Sequence, residues 1–121
     1  MLLDSNILIY AIQPAYMHLL EFISANPVKV SAISKVEVLG FAGLNETERK
    51  WFEGFFRDIE ICPVSEDVID EAVRLRQERK MALGDSIIAA TALCHGLKLA
   101  TRNISDFDNI TGLEVINPVD R

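Results

Sequence analysis

Met1-Leu2-Leu3-Asp4-Ser5-Asn6-Ile7-Leu8-Ile9-Tyr10 opens the chain, and its reading decides the fold. An apolar run stops at a carboxylate, and a second apolar run starts at once. Residues 1–4 read as a short strand and residues 5–12 as an apolar helix. An acid at the seam between two core-forming segments is costly unless something neutralises it. That seam recurs three times: at Glu37 in Ser34-Lys35-Val36-Glu37-Val38-Leu39, at Asp85 in Leu83-Gly84-Asp85-Ser86-Ile87-Ile88, and at Asp106 in Thr101-Arg102-Asn103-Ile104-Ser105-Asp106-Phe107.

Working outward, apolar runs alternate with amphipathic stretches, the order expected of a parallel sheet covered by helices. Strands are predicted over 28–32, 59–64, 97–101 and, more weakly, 113–116. Pro14 can open a helix over 14–24, and 34–43 and 45–58 each begin with a good N-cap. The clearest helix is 65–80. Ser65 caps it, Glu66 and Asp67 sit in its first turn, and Arg76, Arg79 and Lys80 in its last, all matching the helix dipole. Residues 85–95 are apolar nearly all round, as in a buried helix, and Gly96 can end it. The class is α/β, without repeats, low-complexity stretches or linkers.

The 121 residues, half of them hydrophobic, suffice for one sizeable core. No apolar run reaches the roughly 18 residues of a membrane span, and no basic region precedes the opening apolar residues as in a signal peptide. Cys62 and Cys94 are isolated in apolar contexts and read as buried free thiols, so the cytoplasm is the expected compartment. A net charge of −6 argues against a nucleic-acid binder unless several acids are metal ligands, because bound cations reverse the local field. Arg74, Arg76, Arg79 and Lys80 offer a local basic rim, and Arg102 lies beside the fourth acidic segment.

In such folds active groups collect beyond the carboxyl ends of the strands. Asp4 ends the first strand, Glu37 follows the second and Asp106 the fourth. Asp85 starts the helix that runs into the fourth strand, which places it at the opposite edge unless that helix enters from above the sheet. Each acid also has a local reading: Asp4 and Asp85 as N-caps, Glu37 as the partner of Ser34 in a capping box, Asp106 as a turn residue. Two carboxylates 4 Å apart repel by roughly 4 kcal/mol at an effective dielectric of about 20, so acids gathered in one place call for a divalent cation. An aspartate-phosphorylated phosphatase needs a second acid two residues after Asp4, where Asn6 stands. A receiver domain needs an Asp ending a central strand, and 59–64 supplies none.

At these acids the chain resembles the PIN-domain nucleases, most closely the VapC-type ribonuclease toxins of toxin–antitoxin pairs. Leu3-Asp4-Ser5-Asn6-Ile7-Leu8-Ile9-Tyr10 resembles their first acidic motif and Ile33-Ser34-Lys35-Val36-Glu37 their second. Asp85-Ser86-Ile87-Ile88-Ala89-Ala90-Thr91-Ala92 is similar to the third, Thr101-Arg102-Asn103 with Asp106-Phe107 to the fourth, and Val115-Ile116-Asn117-Pro118 to a common ending. Ser5 stands where Thr is commoner and Ser86 where Ala is usual; neither removes a ligand.

The resemblance implies a single PIN domain over residues 1–121: a three-layer α/β/α sandwich around a central, mainly parallel sheet of four to five strands. It further implies Mg²⁺- or Mn²⁺-dependent hydrolysis of RNA. Asp4, Asp85 and Asp106 would be metal ligands, and Glu37 would orient or deprotonate the attacking water. Ser5 and Asn103 would hold carboxylates or phosphate in place, Asn6 would do so or tie down its loop, and Arg102 would contact phosphate. The implied partners are RNA, a cognate antitoxin and a second copy of the chain. Trp51, Phe52, Phe55 and Phe56 would give one helix two apolar faces, one of them for the antitoxin or the dimer partner. The alternative is a catalytically silent PIN-like module that binds RNA or protein.

Overall fold

The computed structural model describes residues 1–120. Five short strands, β1 (Leu2–Leu3), β2 (Lys29–Ser31), β3 (Glu60–Cys62), β4 (Leu99–Ala100) and β5 (Val115–Ile116), form one sheet in the order β3-β2-β1-β4-β5, with every pairing parallel. The chain builds outward from β1 in one direction and then, from β4, in the other. The crevice between β1 and β4 is therefore the place where strand order reverses.

The helices are α1 (Ser5–Ala11), α2 (His18–Ala25), α3 (Ala32–Leu39), α4 (Glu46–Asp58), α5 (Glu66–Glu78) and α6 (Leu83–His95), with 3-10 turns at Pro14–Tyr16 and Ile104–Asp106. Successive strand residues point to opposite faces, and the core divides accordingly. Leu2 and Leu99 pack with Val68, Leu75, Ile88 and Ala92 of α5 and α6. Leu3, Val30 and Ala100 pack with Ile7, Leu19, Val38 and Phe52 of α1 to α4. The result is the three-layer α/β/α sandwich expected.

Local signals mostly operate where the sequence placed them. Asn45 and Glu48 form a reciprocal capping box at α4 (2.8 and 3.0 Å). Ser65 caps α5, and Gly96 ends α6 in the left-handed region, φ 63°, where glycine carries no Cβ penalty. The 14–24 helix divides at Met17 into a 3-10 turn and α2. Of the two thiols, both free, Cys62 is buried as expected but Cys94 is exposed.

Two corrections bear on function. First, α3 starts at Ala32 rather than at residue 34, because Ser31 already caps it by accepting from the Ile33 N–H (3.2 Å). Ser34 is therefore inside the helix, and Glu37 is not the N3 residue of a capping box. Second, α6 does enter from above the sheet. A helix that delivers the chain to the start of a parallel strand runs antiparallel to the strands, so its N-terminus lies at their carboxyl edge. The chain first climbs back along α5: Cys94 near the end of α6 approaches the Asp67 carbonyl at the start of α5, and Arg76 near the end of α5 donates to the Met81 carbonyl just before α6. Topology thus brings Asp85 to the same edge as the other acids.

Candidate active site

The site grows from the crevice at β1 and β4. The Asp4 N–H donates to the Ala100 carbonyl (2.8 Å), fixing Asp4 at the end of β1. Asp4 occupies the N-cap position of α1, yet its side chain makes no capping bond. Its Oδ2 accepts instead from the Thr101 hydroxyl (2.7 Å), whose oxygen accepts from the Asn103 N–H (3.1 Å). Thr101 is fully buried and Asp4 is 5 % exposed. Burial pushes the Asp4 carboxyl up to about 6; the Thr101 hydroxyl opposes this, and the charges of Asp85 and Glu37 add to it.

The second acid is held by serines. Ser5 donates to Glu37 Oε1 (2.7 Å), and its hydroxyl lies 2.9 Å from that of Ser34. A hydroxyl has one proton to give. With the Ser5 proton committed to Glu37, the Ser34 hydroxyl donates to Ser5. Ser34 and Glu37 are three apart on α3 and so share a face, which makes a short relay from buried α3 to the exposed carboxylate.

Asp85 is half-buried in the first turn of α6, whose N-cap is Ala82, so it too is no cap. Burial raises its carboxyl above the usual range, followed by the charges of Asp106 and Glu37. Asp106 ends the Ile104–Asp106 turn and is exposed. With Asp85, Arg79, Lys80 and Ser105 it lines an open cleft of ≈ 640 Å³. The four acids thus form one electrostatically connected group, grading from buried Asp4 to exposed Glu37 and Asp106.

Gly84 shows how closely α3 and α6 meet. A Cβ there would lie 2.6 Å from Glu37 Oε2. The clash is with the far end of a flexible side chain, tied by the Ser5 hydroxyl, and Ala is the better helix former, which offsets the loss of that bond. Gly84→Ala is therefore expected to leave the melting temperature unchanged or slightly raised while moving the Glu37 carboxylate. Turnover should fall by roughly tenfold or more if Glu37 handles the reacting water; kinetics beside a melting curve check both parts.

Among the described residues, no three His, Cys, Asp or Glu side chains stand close enough to form a ready-made metal cage. The donor set nevertheless fits one kind of ion. It is oxygen only, its charges repel one another, and its innermost member is desolvated. Two residues after Asp4 on α1, Asn6 has a buried Oδ1 that meets no donor. Mg²⁺ binds through one or two carboxylates and keeps several waters, so it does not need three converged carboxylates.

The remaining sequence candidates divide. The Asn103 side chain is exposed, and its backbone N–H does the positioning. Arg102 is already engaged: its guanidinium lies 4.8 Å from the Tyr10 ring centre and 5.6 Å from that of Tyr16, donates to the Tyr16 hydroxyl (3.2 Å) and faces Asp120 (3.6 Å). Within the basic rim, Arg74 pairs with Glu71 and Glu78. Phe52 and Phe56 are core residues, 0 % and 4 % exposed, and this removes them as partner contacts. Trp51 is 44 % exposed and stacks on half-buried Phe55. It divides two apolar hollows beside α4, one of ≈ 680 Å³ shared with Ile23, Val28 and Phe55 and one of ≈ 300 Å³ shared with Ile12, Met17 and Leu20.

Thr101 and Ser34 lie inside the acidic motifs but received no role of their own from the sequence, and Arg79 was read there only as part of a basic rim. Thr101 sits at the end of β4 as Asp4 sits at the end of β1, and Ser34 lies three before Glu37. Both signals were available. That of Arg79 was not, because its contacts are 29 and 30 residues away.

The PIN domain family profile matches residues 1–113. Ribonuclease VapC10 of Mycobacterium tuberculosis is 29% identical over 114 residues, 88% of this chain and 84% of that protein. Ribonuclease VapC1 of Rickettsia felis is 46% identical over 41 residues, only 34% of this chain and 31% of that protein. A chain in a toxin–antitoxin complex from Klebsiella pneumoniae is 33% identical, with a TM-score of 0.78 over 97% of this chain and 96% of that one.

Proposed function

Because this chain belongs to the PIN domain family, we propose that it is a metal-dependent endoribonuclease acting as the toxin of a toxin–antitoxin pair. The observation that carries this reading is the connected acidic group at the β1/β4 crevice: four carboxylates, none of them spent on a helix cap, two with raised proton affinity. The ribonuclease names of the relatives and the toxin–antitoxin complex among the similar structures support the same activity and setting.

Asp4, Asp85 and Asp106 would hold Mg²⁺ or Mn²⁺, directly or through water. The ion would supply charge stabilisation at the scissile phosphate and make water a usable nucleophile at neutral pH. Asp4 gives the site a fixed inner point, because the Thr101 hydroxyl and the β4 backbone clamp it. Glu37 orients the attacking water and accepts its proton, and the Ser34–Ser5 relay sets the carboxylate's direction. Asn103 acts through Thr101. Lys80, exposed on the cleft wall, balances phosphate charge in a chain that is acidic overall.

An antitoxin segment with apolar side chains would fill the hollows on either side of Trp51. Half-exposed Ile69 and Val73 on α5 with exposed Leu83 on α6 form a second apolar face, suited to another copy of the chain in a homodimer. No helix among the described residues is long and apolar enough to cross a membrane; action on RNA in the cytoplasm is part of the proposal.

The test is cleavage of a mixed RNA pool by purified protein free of antitoxin. Cutting should need Mg²⁺ or Mn²⁺, stop with chelator, return when metal is restored, and be absent from Asp85→Asn. Cutting in chelator, or undiminished cutting by that variant, counts against the proposal.

A further inference from the structure

Arg79 is the residue that caps the end of α5, its N–H donating to the Leu75 carbonyl (3.1 Å), and its side-chain bonds all leave that element. Its two terminal nitrogens donate to successive carbonyls of the loop after β4, Nη1 to Asp108 (2.6 Å) and Nη2 to Asn109 (2.7 Å). Asn109 is the one non-glycine residue among those described with a positive φ, 64°, a conformation that Asn tolerates better than most residues. The turn is anchored from behind as well, by the Arg76 Nε bond to the Met81 carbonyl (3.2 Å). The fork therefore joins two segments far apart in sequence: the 79–82 turn that presents Asp85, and the 105–109 loop that presents Asp106.

Stability alone is a poor reason for this arrangement. Arg79 Nε is buried and meets no acceptor, and an unpaired buried donor is destabilising. A cation beside Asp85 and Asp106 also competes, through simple electrostatics, with any metal ion held there. What the fork does provide is fixed spacing. A planar guanidinium presents its donors in a rigid geometry that a lysine ammonium lacks, and Asp106 lies in an exposed 3-10 turn with no side-chain bond of its own among the described residues.

We infer that Arg79 is a positioning residue of the acidic cleft, setting the Asp106 carboxylate against Asp85 through its fork onto the Asp108 and Asn109 carbonyls. The inference rests on the reading of Asp106 as a metal ligand. It predicts a sign that electrostatics alone reverses: removing a cation from an acidic site strengthens metal binding, whereas removing a strap weakens it.

The experiment is calorimetric titration of Mn²⁺ into the full chain, its Arg79→Ala and Arg79→Lys variants, the Asp106→Asn variant, and the Arg79→Ala/Asp106→Asn double variant. Melting curves and amide hydrogen exchange over residues 105–110 accompany it. Arg79→Ala should weaken Mn²⁺ binding about tenfold or more, the range for partners that orient metal ligands, and speed exchange in the loop. Arg79→Lys, which keeps the charge and is the milder change for folding, should not restore affinity. In the Asp106→Asn background the same Arg79→Ala change should weaken binding no further. At saturating metal, kcat of Arg79→Ala should recover toward the parent value. Tighter or unchanged Mn²⁺ binding by folded Arg79→Ala overturns the inference, as does equal loss in both backgrounds. Asp106→Asn binding Mn²⁺ like the parent overturns the ligand reading itself, a result distinct from the other two.

Discussion

Asp4→Asn is expected to make the metal-free protein more stable and the enzyme inactive. Asp4 is buried, and its carboxyl is pushed up to about 6 from an ordinary 3.8. Every tenfold rise in proton affinity corresponds to about 1.4 kcal/mol, so ionising this carboxyl at neutral pH costs the metal-free fold on the order of 2–3 kcal/mol. The neutral amide keeps the Thr101 bond through its carbonyl oxygen and avoids that cost. The melting temperature at about pH 7.5 without metal should rise by roughly 5–10 °C. The sign with pH follows from linkage. A group whose folded pKa is raised contributes stability that is full below its unfolded value and lost as pH climbs through the folded value. The gap between variant and parent should thus be widest above about pH 7, shrink through about pH 6 and nearly vanish at about pH 4. Saturating Mn²⁺ should stabilise the parent and leave the variant unmoved, and cleavage should drop at least about a hundredfold. A variant that melts below its parent at every pH contradicts the assignment of the cost to Asp4.

Phe52→Ala and Trp51→Ala, adjacent on α4, are expected to behave oppositely. Phe52 is fully buried between Leu3, Val38 and their neighbours, and truncating such a side chain costs about 3–5 kcal/mol from lost transfer energy and the cavity left behind. That is a large share of a typical domain's stability, so urea unfolding should move far down or leave no folded baseline. Trp51 meets Phe52 edge-on, stacks on Phe55 and opens to solvent. Its truncation should change stability by about 1 kcal/mol or less and leave RNA cleavage intact, yet weaken capture of the antitoxin. Equal destabilisation by both substitutions would mean that α4 has no free apolar face.

The contrast shows where the sequence was legible. Helix and strand order, the caps at Asn45, Ser65 and Gly96, and the acids at strand ends follow from local rules, and the structure keeps them. Trp51-Phe52 and Phe55-Phe56 announced two apolar faces, but which face met the core depended on the register of α4 against β1 and β2, which no local pattern carries. Ser34 looked like a cap because Ser-x-x-Glu is a capping signature. Ser31, at the end of β2, captured that role, and the cost of leaving Ser34 buried is met by Ser5 from another element. Asp85 was misplaced by assigning the start of α6 to the wrong end of the sheet: a helix that feeds the start of a parallel strand begins at the carboxyl edge, and the turn at 79–82 hands the chain from α5 to α6 there. Arg102 read as a phosphate ligand beside an acidic motif, and only the fold brings Tyr10, Tyr16 and Asp120 around it.

In the proposed site, four separately encoded acids act together on one divalent cation and its water. Mn²⁺ titration of the parent, Asp4→Asn and Asp85→Asn proteins, each shown to be folded, tests this most directly. Saturable binding by the parent that weakens at least about tenfold in both variants is the expected result. No binding by the parent, or binding that both substitutions leave untouched, would contradict it and return these carboxylates to the electrostatics of helix and loop ends.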